Sequence, residues 1–105
     1  MVLVKLIYTL SSDFPSDEKF GLTSQIRRAA VSVPSNIAEG AARTGPKEFL
    51  KFLSIARGSL SEIETQLLIA QDLGYTDSVQ TTMSVIDKTF ALLGGLMNKL
   101  TKELP

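Results

Sequence analysis

Histidine, cysteine and tryptophan are all missing from this chain, and the first two absences remove most of the usual catalytic repertoire. Without cysteine there is neither a disulfide framework nor a thiolate metal site, and without histidine the commonest general base and metal ligand is gone. Hydrolytic triads and zinc chemistry are thereby excluded. Net charge is missing too: 11 Lys and Arg offset 11 Asp and Glu, which argues against a protein that coats nucleic acid through general electrostatics. Nor is there a long hydrophobic run. The opening "MVLVKLIYTL" is too short to span a bilayer and lacks the basic start and small-residue cleavage site of a signal peptide, so the expected setting is the cytoplasm, with no membrane partner. What is left for chemistry is carboxylates, Lys, Tyr and hydroxyls, which suit at most an acid/base pair or a carboxylate metal site. No catalytic residue, cofactor or small-molecule substrate is indicated.

The 105 residues fit one domain, 1–105, long enough to bury a core. Apolar residues make up 44% of the chain and mean hydropathy is +0.15, high for so small a soluble monomer, which points to a homo-oligomer. Helical periodicity is strongest in the second half. Phe49, Leu53, Ala56, Leu60, Ile63, Leu67 and Ala70 step by four and three, as do Val79, Met83, Ile86, Phe90, Leu93, Met97, Leu100 and Leu104, and each set is a heptad seam. Between them "DLGYTDS" supplies a stop at Gly74, with Tyr75 packing back on Ala70, and a new cap at Thr76 or Asp77. So tight a connection makes the two helices antiparallel. Leu50, Phe52, Ile55, Leu68, Ile69, Val85, Leu92 and Leu96 widen the apolar face beyond one stripe, so part of it is expected to meet another copy.

Upstream, Ser16 is placed to cap a helix from about Ser16 to Ala42 whose apolar stripe is Leu22, Ile26, Ala29, Val33 and Ile37. Pro34 interrupts it and predicts a kink, since proline lacks the amide that would reach the Ala30 carbonyl and its ring crowds the preceding turn. Pro46 suits an early position of the third helix. Residues 2 to 11 form either a first helix or, on their own pattern, a strand. Four helices with short joints make an all-α up-and-down bundle. Gly94-Gly95, and less strongly Gly58, imply close helix approach or a kink, because glycine inside a helix costs about 1 kcal/mol against alanine.

Polar residues follow helical spacing as well. Gln25, Arg28, Ser32, Asn36 and Glu39 form one stripe, and Glu62 and Gln66 a matching pair. With Glu64, these suit either a ligand groove, even a carboxylate metal site at Glu39, Glu62 and Glu64, or a buried or interfacial network. In the network Arg28 meets a carboxylate and Asn36 serves the backbone near Pro34. Without the histidines that complete most bundle metal sites the network is preferred, and no metal is expected. "GAARTGPKE" resembles a phosphate-binding loop but fails: Pro46 splits the Gly-Lys pair and Glu48 stands where a magnesium-binding hydroxyl belongs. Charge is segregated along the chain. Residues 26 to 57 hold Arg27, Arg28, Arg43, Lys47, Lys51 and Arg57 against Glu39 and Glu48, while residues 58 to 87 hold Glu62, Glu64, Asp72, Asp77 and Asp87 with no base. Complementarity between helices or subunits accounts for this better than a phosphate-binding patch.

The stretches "FPSDEKFGLTSQIRRAAVSVPSNIAEGAAR" and "KEFLKFLSIARGSLSEIETQLLIAQDLGY" closely resemble the bacterial four-helix bundle proteins encoded in intervening sequences of 23S ribosomal RNA genes. The resemblance covers residues 14 to 75. It implies an up-and-down bundle, a homopentamer and no established enzymatic activity. A related branch, the accessory variability proteins of diversity-generating retroelements, implies RNA or an RNA-processing protein as a partner. Arg27, Arg28, Arg43, Lys47 and Lys51 are the residues to suspect for such binding, although the branch is basic and this chain is neutral. Relative to the family the first helix is expected to be shortened.

Overall fold

The computed structural model describes residues Met1–Pro105. Four helices carry the chain: α1, Val2–Ser11; α2, Leu22–Ala41; α3, Pro46–Asp72; and α4, Gln80–Lys102, with one 3-10 turn at Ser16–Glu18. Packing joins α1 to α2, α2 to α3, α3 to α4 and α4 back to α1, with no diagonal pair in close contact. That is the ring order of an up-and-down bundle. The molecule is elongated, 49 × 24 × 18 Å, and none of its helices is long and apolar enough to cross a membrane.

The seams read from spacing are the core. Leu53, Ala56, Leu60, Ile63, Leu67 and Ala70 of α3 and Ile86 of α4 are fully buried, and Val79, Leu93 and Leu100 nearly so. Phe49, Met83, Phe90 and Met97 pack against them half-buried, whereas Leu104 falls beyond the end of α4 and is exposed. On α2 the buried face is Ile26, Ala29, Ala30 and Val33, and α2 continues as helix through Pro34. The helix-or-strand ambiguity of residues 2 to 11 is resolved by packing. Leu3, Ile7 and Ser11 are buried while Val2 is exposed, a period of four that turns one helical face to the core.

Helix ends differ from expectation in two places. α2 starts at Leu22, not at Ser16, which makes no capping bond. After Pro15 the chain makes a short turn, and Glu18 Oε1 accepts the Leu22 N–H (3.1 Å), doing from within the loop what an N-cap side chain would do. α4 begins at Gln80, so neither Thr76 nor Asp77 caps it. Val79, buried on entry, sets where that helix meets the core. The stop at Gly74 holds: its φ is +78°, Tyr75 N–H reaches the Ala70 carbonyl (2.9 Å) and Gly74 N–H that of Gln71 (3.0 Å). This is a Schellman C-cap, which satisfies carbonyls the helix leaves unpaired. Pro46 opens α3 at its first position after Gly45, whose φ is +99°.

The glycines divide unexpectedly. Gly40 is buried, and a Cβ there would lie 2.7 Å from Phe52 Cβ and 3.0 Å from Phe49 Cδ1, so α2 runs close against α3 at this position. Gly58, Gly94 and Gly95 face open space, with nothing within 4 Å of an added Cβ. The close approach expected there is not made within this chain. α1 is indeed short. At 1.5 Å per residue its 10 residues reach about 15 Å beside the roughly 35 Å of the 23-residue α4.

Candidate interaction surface

The polar stripe of α2 faces α3, but its members form separate local sets and not one network. Ser32 and Ser59 share a hydrogen bond between hydroxyls (2.8 Å), and Asn36 Nδ2 donates to the Ser32 carbonyl (2.8 Å) and hydroxyl (2.9 Å). Asn36 therefore serves Ser32, not the Ala30 carbonyl that Pro34 leaves without its helical donor. One turn along α3, Gln66 Nε2 donates to Glu62 Oε2 (3.1 Å). Gln66 is buried and its Oε1 has no partner, an uncompensated acceptor. Ser59, Glu62 and Gln66 step by three and four, so the spacing that singled out the last two also contained Ser59.

Ser24, Gln25, Arg28 and Ser32 of α2 and Ser59 and Glu62 of α3 line an open groove of about 450 Å³, with Phe20 at its lip. Arg28 is exposed and makes no ion pair. The molecule's single salt bridge joins Arg43 to Glu39 (3.0 Å) along α2 and the turn that follows it. Arg43 also lies over the Phe52 ring, 4.9 Å from its centroid. Glu64 makes no hydrogen bond and does not line this groove. The carboxylates Glu39, Glu62 and Glu64 do not converge, and no group of three or more acidic residues is placed to hold a metal ion.

The five suspected RNA-binding residues also separate. Arg27 is committed within the fold: its Nε donates to Ser11 Oγ (2.7 Å), Nη2 to the Tyr8 carbonyl (3.2 Å), and its guanidinium lies over the Tyr8 ring at 4.7 Å. It closes the C-terminus of α1, where a cation is favourable. Arg28 sits on the second turn of α2, while Arg43, Lys47 and Lys51 lie around the α2–α3 turn, about 20 Å further along the helix axis. Topology adds Lys99 and Lys102 from the last turn of α4 to that end. Sequence distance hid this pair, because only the antiparallel path brings the end of α4 beside the start of α3. The opposite end carries Asp13, Asp17, Glu18, Asp72 and Asp77 beside Lys19, and the basic end also holds Glu39, Glu48 and Glu103, so each end has an excess of one sign within a chain of zero net charge.

A clasp that spacing did not foretell closes the acidic end. Tyr75 hydroxyl donates to Glu18 Oε2 (2.7 Å), and the Tyr75 ring leans on Phe14 with centroids 5.7 Å apart. The Tyr75 hydroxyl and the Leu22 N–H hold the Glu18 carboxyl below its usual range, and the same bond holds the Tyr75 phenol above its own.

Ring-order packing, two heptad seams and a polar α2–α3 joint with charge sorted to the ends define an up-and-down helical bundle protein. A family model described as 23S rRNA-intervening sequence protein matches residues 1–96. The chain belongs to that family. No curated protein matches it.

Proposed function

We propose that this chain is a non-enzymatic homo-oligomeric bundle that serves as a scaffold or adaptor, in the bacterial cytoplasm that its family resemblance implies. The observation that carries this is surplus apolar surface. Ile55 is 45% exposed, Leu68 52%, Ile69 44% and Leu92 75%, on a molecule already holding a complete core. Exposed aliphatic side chains of this size support a surface that another chain covers, in the way contiguous apolar patches on small proteins mark interaction sites. The family resemblance implies five copies. Native mass spectrometry and light scattering at tens of micromolar should give a closed multiple of the 11.4 kDa chain, and a monomer there overturns the proposal.

A second role, docking onto structured RNA, is favoured by the gathering of Arg43, Lys47, Lys51, Lys99 and Lys102 at one end of the bundle. Binding of this kind falls steeply with salt. Charge reversal at Lys47 and Lys51 should weaken it at least tenfold, while reversal at Arg28, at the far end, should leave it within twofold. Absence of salt-sensitive binding to structured RNA at low ionic strength removes this role.

A further inference from the structure

The quadrant of the bundle that α1 occupies is only partly filled. α1 has 10 residues against 20 in α2 and 23 in α4, and Met1 stands level with Pro34 and Thr89, where all three line one hollow. From that level α4 continues to Lys102, about 20 Å, and α2 to Ala41, about 10 Å, with no fourth helix between them. Two adjoining hollows of about 220 and 300 Å³ open at the head of this trough and share Met1, Val4 and Pro34. Val33, Ile37 and Val85 line the first and Val31 and Ala38 the second, and no charged side chain lines either. Thr89 spends its hydroxyl on the Val85 carbonyl (2.7 Å), which leaves its methyl to the trough. Leu96, half-buried and one heptad past Thr89, continues the α4 wall. We propose that this trough is a docking site for an amphipathic helix of a partner protein, apolar on its buried face and acidic along the flank beside α4, lying in line with α1. The site rests on the adaptor reading above and gives the partner its chemistry.

Shape, charge and backbone chemistry agree on that occupant. The trough continues the position that α1 itself fills, so it has the width of one helix, and its length suits about three turns. Lys88 and Lys99 each stand three residues past a wall residue, Val85 and Leu96, and so lie beside them on the α4 surface. Both lysines are exposed and neither is in an ion pair. The one acid on that edge, Glu103, follows the end of α4, and the α2 edge of Val31, Ser35 and Ala38 carries no charge. Carboxylates on the partner's α4 flank therefore meet unpaired cations. At the head of the trough the first N–H groups of α1 have neither a capping side chain nor an acidic residue in the first turn. The last carbonyls of a helix arriving with its C-terminus toward Met1 supply what they lack, with the two dipoles aligned. All four helices of this chain are committed to one core in ring order, and lending one to a neighbour would open that core, so a separate protein is the source.

The test uses the whole chain and two synthetic peptides of about 14 residues with leucines at heptad spacing, one flanked by glutamates and the other by lysines. The glutamate peptide should bind with a Kd of about 10–100 μM, in keeping with so small a contact. It should gain helicity on binding and move the methyl resonances of Val4, Ile37 and Val85 but not those of Leu68 on α3. Ala38→Asp, at an exposed position of the wall, should keep wild-type helicity and weaken binding at least tenfold. Lys99→Glu should reverse the preference to the lysine peptide, and Thr65→Asp on the far side of α3 should leave binding within twofold. No binding of the glutamate peptide at about 1 mM, or binding that moves only the polar α2–α3 groove, overturns the docking site and leaves oligomerisation standing. Exclusion of a soluble paramagnetic probe from Val4 and Ile37 in assembled, peptide-free protein also overturns it, in favour of a second copy as the occupant. Peptide binding by a wild-type monomer upholds the trough and removes only the homo-oligomeric reading.

Discussion

Arg27 was suspected as a free cation and is instead a clamp, because the short α1 ends where its guanidinium can reach the Tyr8 carbonyl and Ser11 hydroxyl. Arg27→Ala should lower stability by about 1–2 kcal/mol in urea denaturation, and Arg27→Lys should recover little of it, since an ammonium reproduces neither the fork nor the stacking on Tyr8. The Glu18–Tyr75 clasp has a pH signature. A carboxyl held below its ordinary value adds stability that is fully present above the ordinary carboxylate range and is lost as pH falls through the lowered value. A phenol held above its ordinary value adds stability present below ordinary phenol titration and lost as pH rises through the raised value. Tyr75→Phe should therefore shift the Glu18 carboxyl titration, followed by NMR, upward toward the ordinary range, and bring acid unfolding in at higher pH. The Leu22 bond keeps part of the depression. Neither clamp nor clasp was readable in advance. Their partners are 16 and 57 residues apart in sequence, and residue type alone does not say which distant donor and acceptor a fold brings together.

Spacing is a dependable guide to α3 and α4 because a heptad repeat states both the helix and the face it buries, and full burial of Leu53, Leu60, Ile63 and Leu67 follows from that. Leu60→Ala should cost about 3 kcal/mol, seen as a shift in urea midpoint at constant slope. Helix starts are less legible. Ser16 has the right chemistry for a cap and Thr76 and Asp77 do too, yet Glu18 and the burial of Val79 set the starts of α2 and α4. Caps are worth about 1 kcal/mol and yield to packing. Glycine was legible as a cost but not as a location. Gly40, in a helix end that spacing passed over, is where α2 touches Phe49 and Phe52, and Gly40→Ala should destabilise the chain by about 1–3 kcal/mol because Phe52 Cβ cannot move aside.

Bipolar charge and surplus apolar surface belong to the assembled bundle, not to any helix. The inward seams of α3 and α4 close the core, while Ile55, Ile69 and Leu92 stay exposed on the same helices. Leu92→Ser should leave folding stability within about 0.5 kcal/mol, because the side chain is 75% exposed and touches little. It should nonetheless weaken self-association in analytical ultracentrifugation. The two measurements together separate what holds the chain folded from what holds copies together.

Three of the four helices, their order, the inner seams and the family resemblance were all present in the amino acids, since period, turn chemistry and motif are local properties that survive without a fold, whereas packing decided that residues 2 to 11 are helix. Local information also named the polar residues of the α2–α3 joint. It did not assign their partners. Ser32 meets Ser59, Arg28 meets no carboxylate, Gln66 keeps an unpaired oxygen, and Lys99 joins Lys47, because antiparallel packing converts sequence distance into a spatial register that no short window contains. The division follows from range: propensity and periodicity act over one or two turns, whereas pairing, burial and the sorting of charge to opposite ends exist only once four helices share one core.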